Sequence, residues 1–235
     1  MIEKLKEELQ KLSNPKKAVF LQRFFKTGKG QYAEGDKFLG ITVPIQRTIA
    51  RKFKDLPLPE VEDLLKSPIH EERLVALLIL TEKFKKGNEK AREEIFNLYL
   101  KSTKYINNWD LVDLSAYKIV GEYLLKNHKD KVLNELAKSK NIWERRIAMV
   151  ATYQFIINGN SKTTYEIANM LLNDRHDLIH KSVGWMLRES GKKVSEMELQ
   201  EFLKTRYKIM PRTMLRYAIE RFPQEIRLKY LKGEI

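Results

Sequence analysis

The sequence predicts an all-α protein of stacked helix pairs, and three observations predict it. Glycine and proline are few, ten and seven in 235 residues, and they fall between apolar-periodic segments more often than inside them. Alternating strand patterns are nearly absent. Apolar helices recur at a roughly constant pitch from about residue 69 onward. A chain of this length fits one large domain or two small ones and buries a core without staples.

Taken in order, the first helix runs from about Ile2 to Leu12 and is stopped by Ser13-Asn14-Pro15. Asn14 is placed to cap the next helix and Pro15 to occupy its first position. That second helix is expected to carry Val19, Phe20 and Phe24 inward. It gives way to Lys26–Asp36, the longest glycine-bearing loop in the chain. Pro44 restarts a helix through about Phe53, and Pro57 and Pro59 start a short one ending near Pro68.

The five helices that follow each place a polar residue three positions before a small one: Arg73/Ala76, Asp113/Ala116, Arg145/Ala148, Lys181/Gly184 and, with Leu in the small position, Arg212/Leu215. The anchors lie 40, 32, 36 and 31 residues apart, within the range of two-helix solenoid repeats. Small residues let neighbouring helices approach. Amphipathic segments at 89–104, 129–138, 161–173 and 194–207 supply an outer layer. The scatter in pitch favours a HEAT-like α-solenoid with a concave basic groove. It would form a single domain over 1–235, atypical in 1–68 and regular in 69–235.

Composition narrows the partner. Forty-five Lys and Arg against 31 Asp and Glu leave a net charge of +14 and an isoelectric point near 9.7, a field that favours nucleic acid. The absence of cysteine excludes disulfides, thiolate metal sites, iron-sulfur clusters and cysteine nucleophiles. The N-terminus alternates charge with Leu and Ile and lacks the apolar run of a signal peptide, which points to the cytoplasm. No stretch reaches membrane-spanning length.

The inner helices carry cations interleaved with aromatics. Trp109, Trp143 and Trp185 fall on consecutive anchored helices, 34 and 42 residues apart. Tryptophan in a solenoid commonly packs between helices, but two of the three keep telling company. Trp109 and Asp113 are i and i+4, on one helical face about 6 Å apart at Cβ, with Asp110 directed elsewhere. An indole beside a carboxylate suits a cationic ligand. Arg145 and Arg146 follow Trp143, Lys181 precedes Trp185 by one turn, and Arg188 lies at i+3 from Trp185. These four are candidate contacts to a DNA backbone.

Other constellations are weaker. His176 and His180 share a helix face, but Asp177 stands where the zinc-protease motif needs Glu, and no third ligand is evident, so no metal site is assigned. Gly28-Lys-Gly30 with Gly35 lacks the strand, spacing and Lys-Ser/Thr ending of a P-loop. The lysine-rich segments at 83–90 and 126–131 read as solvated helix ends.

The segments at 24–47, 107–116 (NNWDLVDLSA), 141–148 (NIWERRIA) and 181–189 (KSVGWMLRE) resemble those of the AlkD-type DNA alkylation-repair glycosylases, which are built from HEAT-like repeats. The resemblance spans nearly the whole chain, with its motifs in order at repeat pitch. It implies that Trp109 and Trp185 contact the modified nucleotide, that Asp113 is catalytic and that Arg146 contacts the DNA backbone. The implied activity is a monofunctional glycosylase, without cofactor, that releases positively charged alkylpurines such as 7-methylguanine and 3-methyladenine from double-stranded DNA; a monomer is the default for a groove that wraps its own ligand. Two features depart from the pattern: a longer Gly-rich stretch at Thr27–Asp36, and Phe24 and Phe25 where some members carry tyrosine. Two rival classes are a non-catalytic HEAT-repeat protein that binds damaged or branched DNA, and a HEAT-type adaptor for an acidic protein. The adaptor has no need of the Trp109, Asp113, Arg146 and Trp185 set, and the DNA-binding class would bind DNA in gel shifts yet release no base.

Overall fold

In the computed structural model, which describes residues 1–127 and 131–235, the chain is all-α and runs helix after helix at the predicted pitch. It divides into two compact units, Met1–Ser115 and Ala116–Ile235. The β pairing among the described residues is one parallel bridge, Lys37 to Ile69. No described helix is long and apolar enough to cross a membrane.

The first unit holds α1 (Ile2–Lys11), α2 (Pro15–Phe24), α3 (Val43–Lys52), α4 (Leu58–Leu65), α5 (His70–Lys86), α6 (Glu89–Lys101) and α7 (Trp109–Ala116, whose last residue crosses the boundary). Asn14 caps α2 as expected, its Oδ1 accepting from the Lys17 N–H at 3.0 Å. The core is centred on α5. Its run from Leu74 to Leu80 is buried on every side, with α3 and α4 packed on it and α6 beyond. The lysines at the end of α5 and the start of α6 are solvated apart from a half-covered Lys83.

One expectation is overturned. Val19, Phe20 and Phe24 do not point inward; they are 56, 65 and 55 % exposed, and α2 buries none of its residues. Their spacing marks a common apolar side, and periodicity alone does not say whether another element covers that side. The loop that follows is fixed by its own groups. Gly28 N–H donates to Gln31 Oε1 and Gly30 N–H to Glu34 Oε2, so the amides that a phosphate cradle would offer already have partners.

The second unit contains a π turn (Tyr117–Gly121), α8 (Glu122–Asn127), α9 (Lys131–Ala137), α10 (Ile142–Ala151), α11 (Tyr153–Ile157), α12 (Lys162–Met170), α13 (Asp177–Lys193), α14 (Glu196–Lys204), α15 (Arg212–Ala218) and α16 (Gln224–Lys232). The anchored helices α10, α13 and α15 stack in sequence, and α9, α12 and α14 pack as their more polar companions. The predicted outer helix at 129–138 matches α9 from residue 131, while its first two residues and the middle of the lysine-rich segment at 126–131 lie outside the described residues. The small residue of the α13 anchor has a specific purpose. A Cβ on Gly184 would meet Tyr217 Cβ at 2.4 Å and the Met214 carbonyl oxygen at 2.5 Å, so α13 and α15 reach their spacing only because that side chain is missing.

Candidate active site

Helix α7 presents Trp109 and Asp113 one turn apart, both half-buried. Directly before the helix, Asn108 is fully buried and its Oδ1 accepts the Trp109 N–H at 2.8 Å. The Asp113 carboxylate lies near the buried Tyr99 phenol. Burial first, and then the charge of Asp113, push that phenol upward, while Tyr99 Oη bonds Ser115 Oγ at 2.9 Å. Asp113 thus keeps partial access to solvent above a floor of buried neutral groups.

The indole of Trp109 is backed by aromatics. It stacks on Phe25 with centroids 5.1 Å apart and planes 15° from parallel, and meets the edge of Phe24 at 6.0 Å. Phe25 stacks on Phe38 at 5.0 Å, and Phe38 on His70 at 4.4 Å. A cavity of about 330 Å³ lies between α2 and the start of α5, with Phe20, Phe24, Phe25 and Phe38 in its walls.

Behind this stack lies a charged cluster that sequence spacing did not reveal. Asp110, directed away from the Trp109 face as expected, is 7 % exposed and meets His70 Nε2 at 2.8 Å. His70 Nδ1 faces Asp36 Oδ2 at 3.4 Å, and the same oxygen pairs with Arg73 Nη2 at 2.7 Å. Burial opposes a charge on His70, but Asp110 and Asp36 outweigh it and hold the imidazole up to about 9. Burial likewise works against the Asp36 charge, yet His70 and Arg73 bring that carboxyl below its ordinary value. The partners lie 34 and 40 residues from His70 in sequence, beyond the reach of any helical periodicity. The one sequence cue is that Asp36 and Asp110 both fall inside the motif segments.

The remaining predicted residues lie in the second unit. Trp143 is buried at 5 % and serves packing. Trp185 is half-buried, 6.3 Å from the Tyr153 ring, which meets the edge of Tyr117 at 5.3 Å. Lys193 lies 5.9 Å over Tyr153 and Lys118 5.4 Å over Tyr117, so Trp185 belongs to an aromatic group edged by cations. Tyr117 and Tyr153 escaped the sequence reading because tyrosines at single positions carry no spacing signal.

The four predicted cations all have protein partners. Arg145 Nε pairs with Asp174 at 2.6 Å. Arg146 is 5 % exposed and its Nη1 donates to the Leu178 carbonyl at the start of α13. Arg188 contacts Glu220 and Glu189, and Lys181 pairs with Asp177 at 2.7 Å while its side chain stays 41 % exposed. His176 caps α13, its Nδ1 accepting the Leu178 N–H, and burial lowers its proton affinity. His180 Nε2 bonds the Asp174 carbonyl. Both histidines therefore have local structural partners.

No curated protein shows significant similarity. Among solved structures, one described as "Predicted DNA alkylation repair enzyme from Enterococcus faecalis" superposes with a TM-score of 0.71 at 16 % identity, over 90 % of this chain and 97 % of its own, and so shares the fold. The model of the DNA alkylation repair enzyme family matches residues 5–222. With that match spanning nearly every helix described above, the chain belongs to the DNA alkylation repair enzyme family.

Proposed function

We propose that the protein is a DNA glycosylase that hydrolyses the N-glycosidic bond of positively charged alkylpurines, 7-methylguanine and 3-methyladenine, in duplex DNA. The observation that carries this reading is the pairing on α7: a half-exposed carboxylate one helical turn from an indole that is itself locked by stacking on Phe25. An N3- or N7-alkylated purine already bears positive charge and leaves without being protonated. What the reaction needs is a fixed anion to stabilise cationic character in the sugar as the bond lengthens, and Asp113 supplies one while orienting the attacking water.

In this reading Trp109, and Trp185 from the second unit, favour the charged nucleotide through their π faces, each worth roughly 0.5 to 2 kcal/mol depending on desolvation. Lys181 and Arg188 would contact phosphates. Arg145 and Arg146, held by Asp174 and the Leu178 carbonyl, would add mainly to the positive potential behind them. No step requires a metal or an organic cofactor.

The test is mass spectrometry of the bases freed from DNA that carries a mixture of alkyl lesions. Wild type is expected to release 7-methylguanine and 3-methyladenine. Asp113→Asn is expected to be slower by about 100-fold with its affinity for the same DNA little changed. Equal release by the two proteins removes Asp113 from the mechanism, and no release by wild type removes the glycosylase.

A further inference from the structure

We infer that His70 is a positioning residue: clamped between Asp36 and Asp110, it holds the helix that bears Trp109 and Asp113 in register with the aromatic stack behind the indole. A positioning role in base release rests on the glycosylase reading. The mechanical coupling between His70 and the indole does not, and it is measurable without DNA.

Two connections run from the imidazole to α7. The first is polar. Asp110 directly follows Trp109; its Oδ2 meets His70 Nε2 at 2.8 Å, and its Oδ1 accepts the Leu111 N–H at 2.9 Å. On its other side the ring faces Asp36, which is held by Arg73 and by Asn107 Nδ2 at 3.3 Å just before α7. The second connection is the stack. His70 packs on Phe38 and lies 5.1 Å from Phe25, and Phe25 packs on Trp109.

Both ring nitrogens thus face carboxylate oxygens, and only the imidazolium donates to both. A neutral ring must turn one lone pair toward a buried carboxylate. The charged groups facing His70 are Asp36 from the loop before α3, Arg73 from its own helix and Asp110 from α7. Its neighbour Glu71 is turned instead to the N–H groups of Leu39, Gly40 and Ile41. With the ring held up to about 9, the clamp is closed at neutral pH and loosens in the alkaline range, where the neutral ring keeps only one of its two donations and the polar support of α7 weakens while the ring stack remains.

The experiment follows the His70 ring and the Trp109 indole N–H resonances of the free protein by NMR from pH 6 to 10. Alongside it, single-turnover base release is measured over the same range for wild type and His70→Gln. The two resonances are expected to titrate with one midpoint near 9. In His70→Gln the indole shift is expected to vanish and release at pH 7.5 to fall at least tenfold, with affinity for DNA unchanged within about twofold and the wild-type alkaline decline gone. If that variant does not fold, Asp110→Asn serves instead; it keeps a neutral acceptor for the ring, and both midpoints are expected to move down together. An indole resonance that stays flat while His70 titrates overturns the inference, as does His70 titrating at its ordinary value or an alkaline decline that persists in His70→Gln. A wild type that releases no base while the indole and His70 titrate together sinks the glycosylase reading and leaves the clamp standing.

Discussion

Glu71 is 1 % exposed, and its carboxylate accepts from three consecutive backbone N–H groups, those of Leu39, Gly40 and Ile41, at 2.9, 2.8 and 3.2 Å. Glu71→Ala leaves three donors without that partner in the interior, and a loss of about 3 to 5 kcal/mol in denaturant unfolding is expected. Glu71→Gln, which keeps one acceptor oxygen, should lose less. His70 adds a pH dependence whose sign is fixed. Its affinity for protons is higher in the folded chain, about 9, than the ordinary 6.5, so protonation favours the folded state. That contribution is complete below pH 6.5 and drains away as the pH rises to 9, by at most about 3 kcal/mol. Unfolding curves at pH 6 and pH 9.5 measure it, and a His70→Gln protein should show a flatter profile. These residues divide according to what the sequence could disclose. Trp109 and Asp113 were legible because four residues on a helix fix a shared face. That Asp110 leaves the Trp109 face was legible for the same reason, but its burial and its partner were not. His70 and Asp36 are joined through a loop whose path no periodicity encodes, and the partners of Arg145 and Arg146 lie on the next repeat, about 30 residues away.

At the scale of elements the sequence was most informative where packing is repetitive. The anchored helices, their pitch and the small residue at four of the five inner positions follow from a geometry used again from repeat to repeat. Gly184 tests this directly. In an ordinary helix interior a Gly→Ala change is stabilising by about 1 kcal/mol. Here the added methyl would lie 2.4 Å from Tyr217 Cβ and 2.5 Å from the Met214 carbonyl oxygen, and both belong to α15 rather than to a flexible chain end. Gly184→Ala is therefore expected to reverse sign and to cost about 2 kcal/mol as α13 and α15 are forced apart, read from urea unfolding. Helix α2 is the opposite case. Its caps were legible, Asn14 and Pro15, because capping is local chemistry; its burial was not, because that depends on what the rest of the chain lays over it. With Phe20 65 % exposed, Phe20→Ser should change stability by no more than about 0.5 kcal/mol, whereas Leu9→Ala, at a fully buried position on α1, should cost about 2 to 5 kcal/mol.

Over the whole molecule the charge excess is shared unequally: residues 1–115 carry 22 Lys and Arg against 17 Asp and Glu, and residues 116–235 carry 23 against 14. The candidate carboxylate lies in the less positive unit, so the anion proposed for the chemical step and most of the excess charge proposed for attraction are carried by different parts of the chain. That separation has a measurable consequence. Attraction to phosphates is a counterion-release effect and weakens linearly in log affinity against log salt, with a slope of about 0.9 per phosphate neutralised. Charge reversal of Lys192 and Lys193 together, both in the last turn of α13, should lower affinity for damaged and undamaged duplex by the same factor and reduce the magnitude of the slope. Asp113→Asn should do the reverse, leaving the slope unchanged while release of base collapses. Fluorescence anisotropy at 50 to 300 mM salt, paired with single-turnover release under saturating protein, separates the two. If the lysine reversals instead abolished release at saturation while sparing the slope, binding charge and chemistry would not be divided in this way. The lysines of the more positive unit, and not Trp185 alone, would then have to act on the reacting nucleotide itself, beyond drawing the duplex toward it.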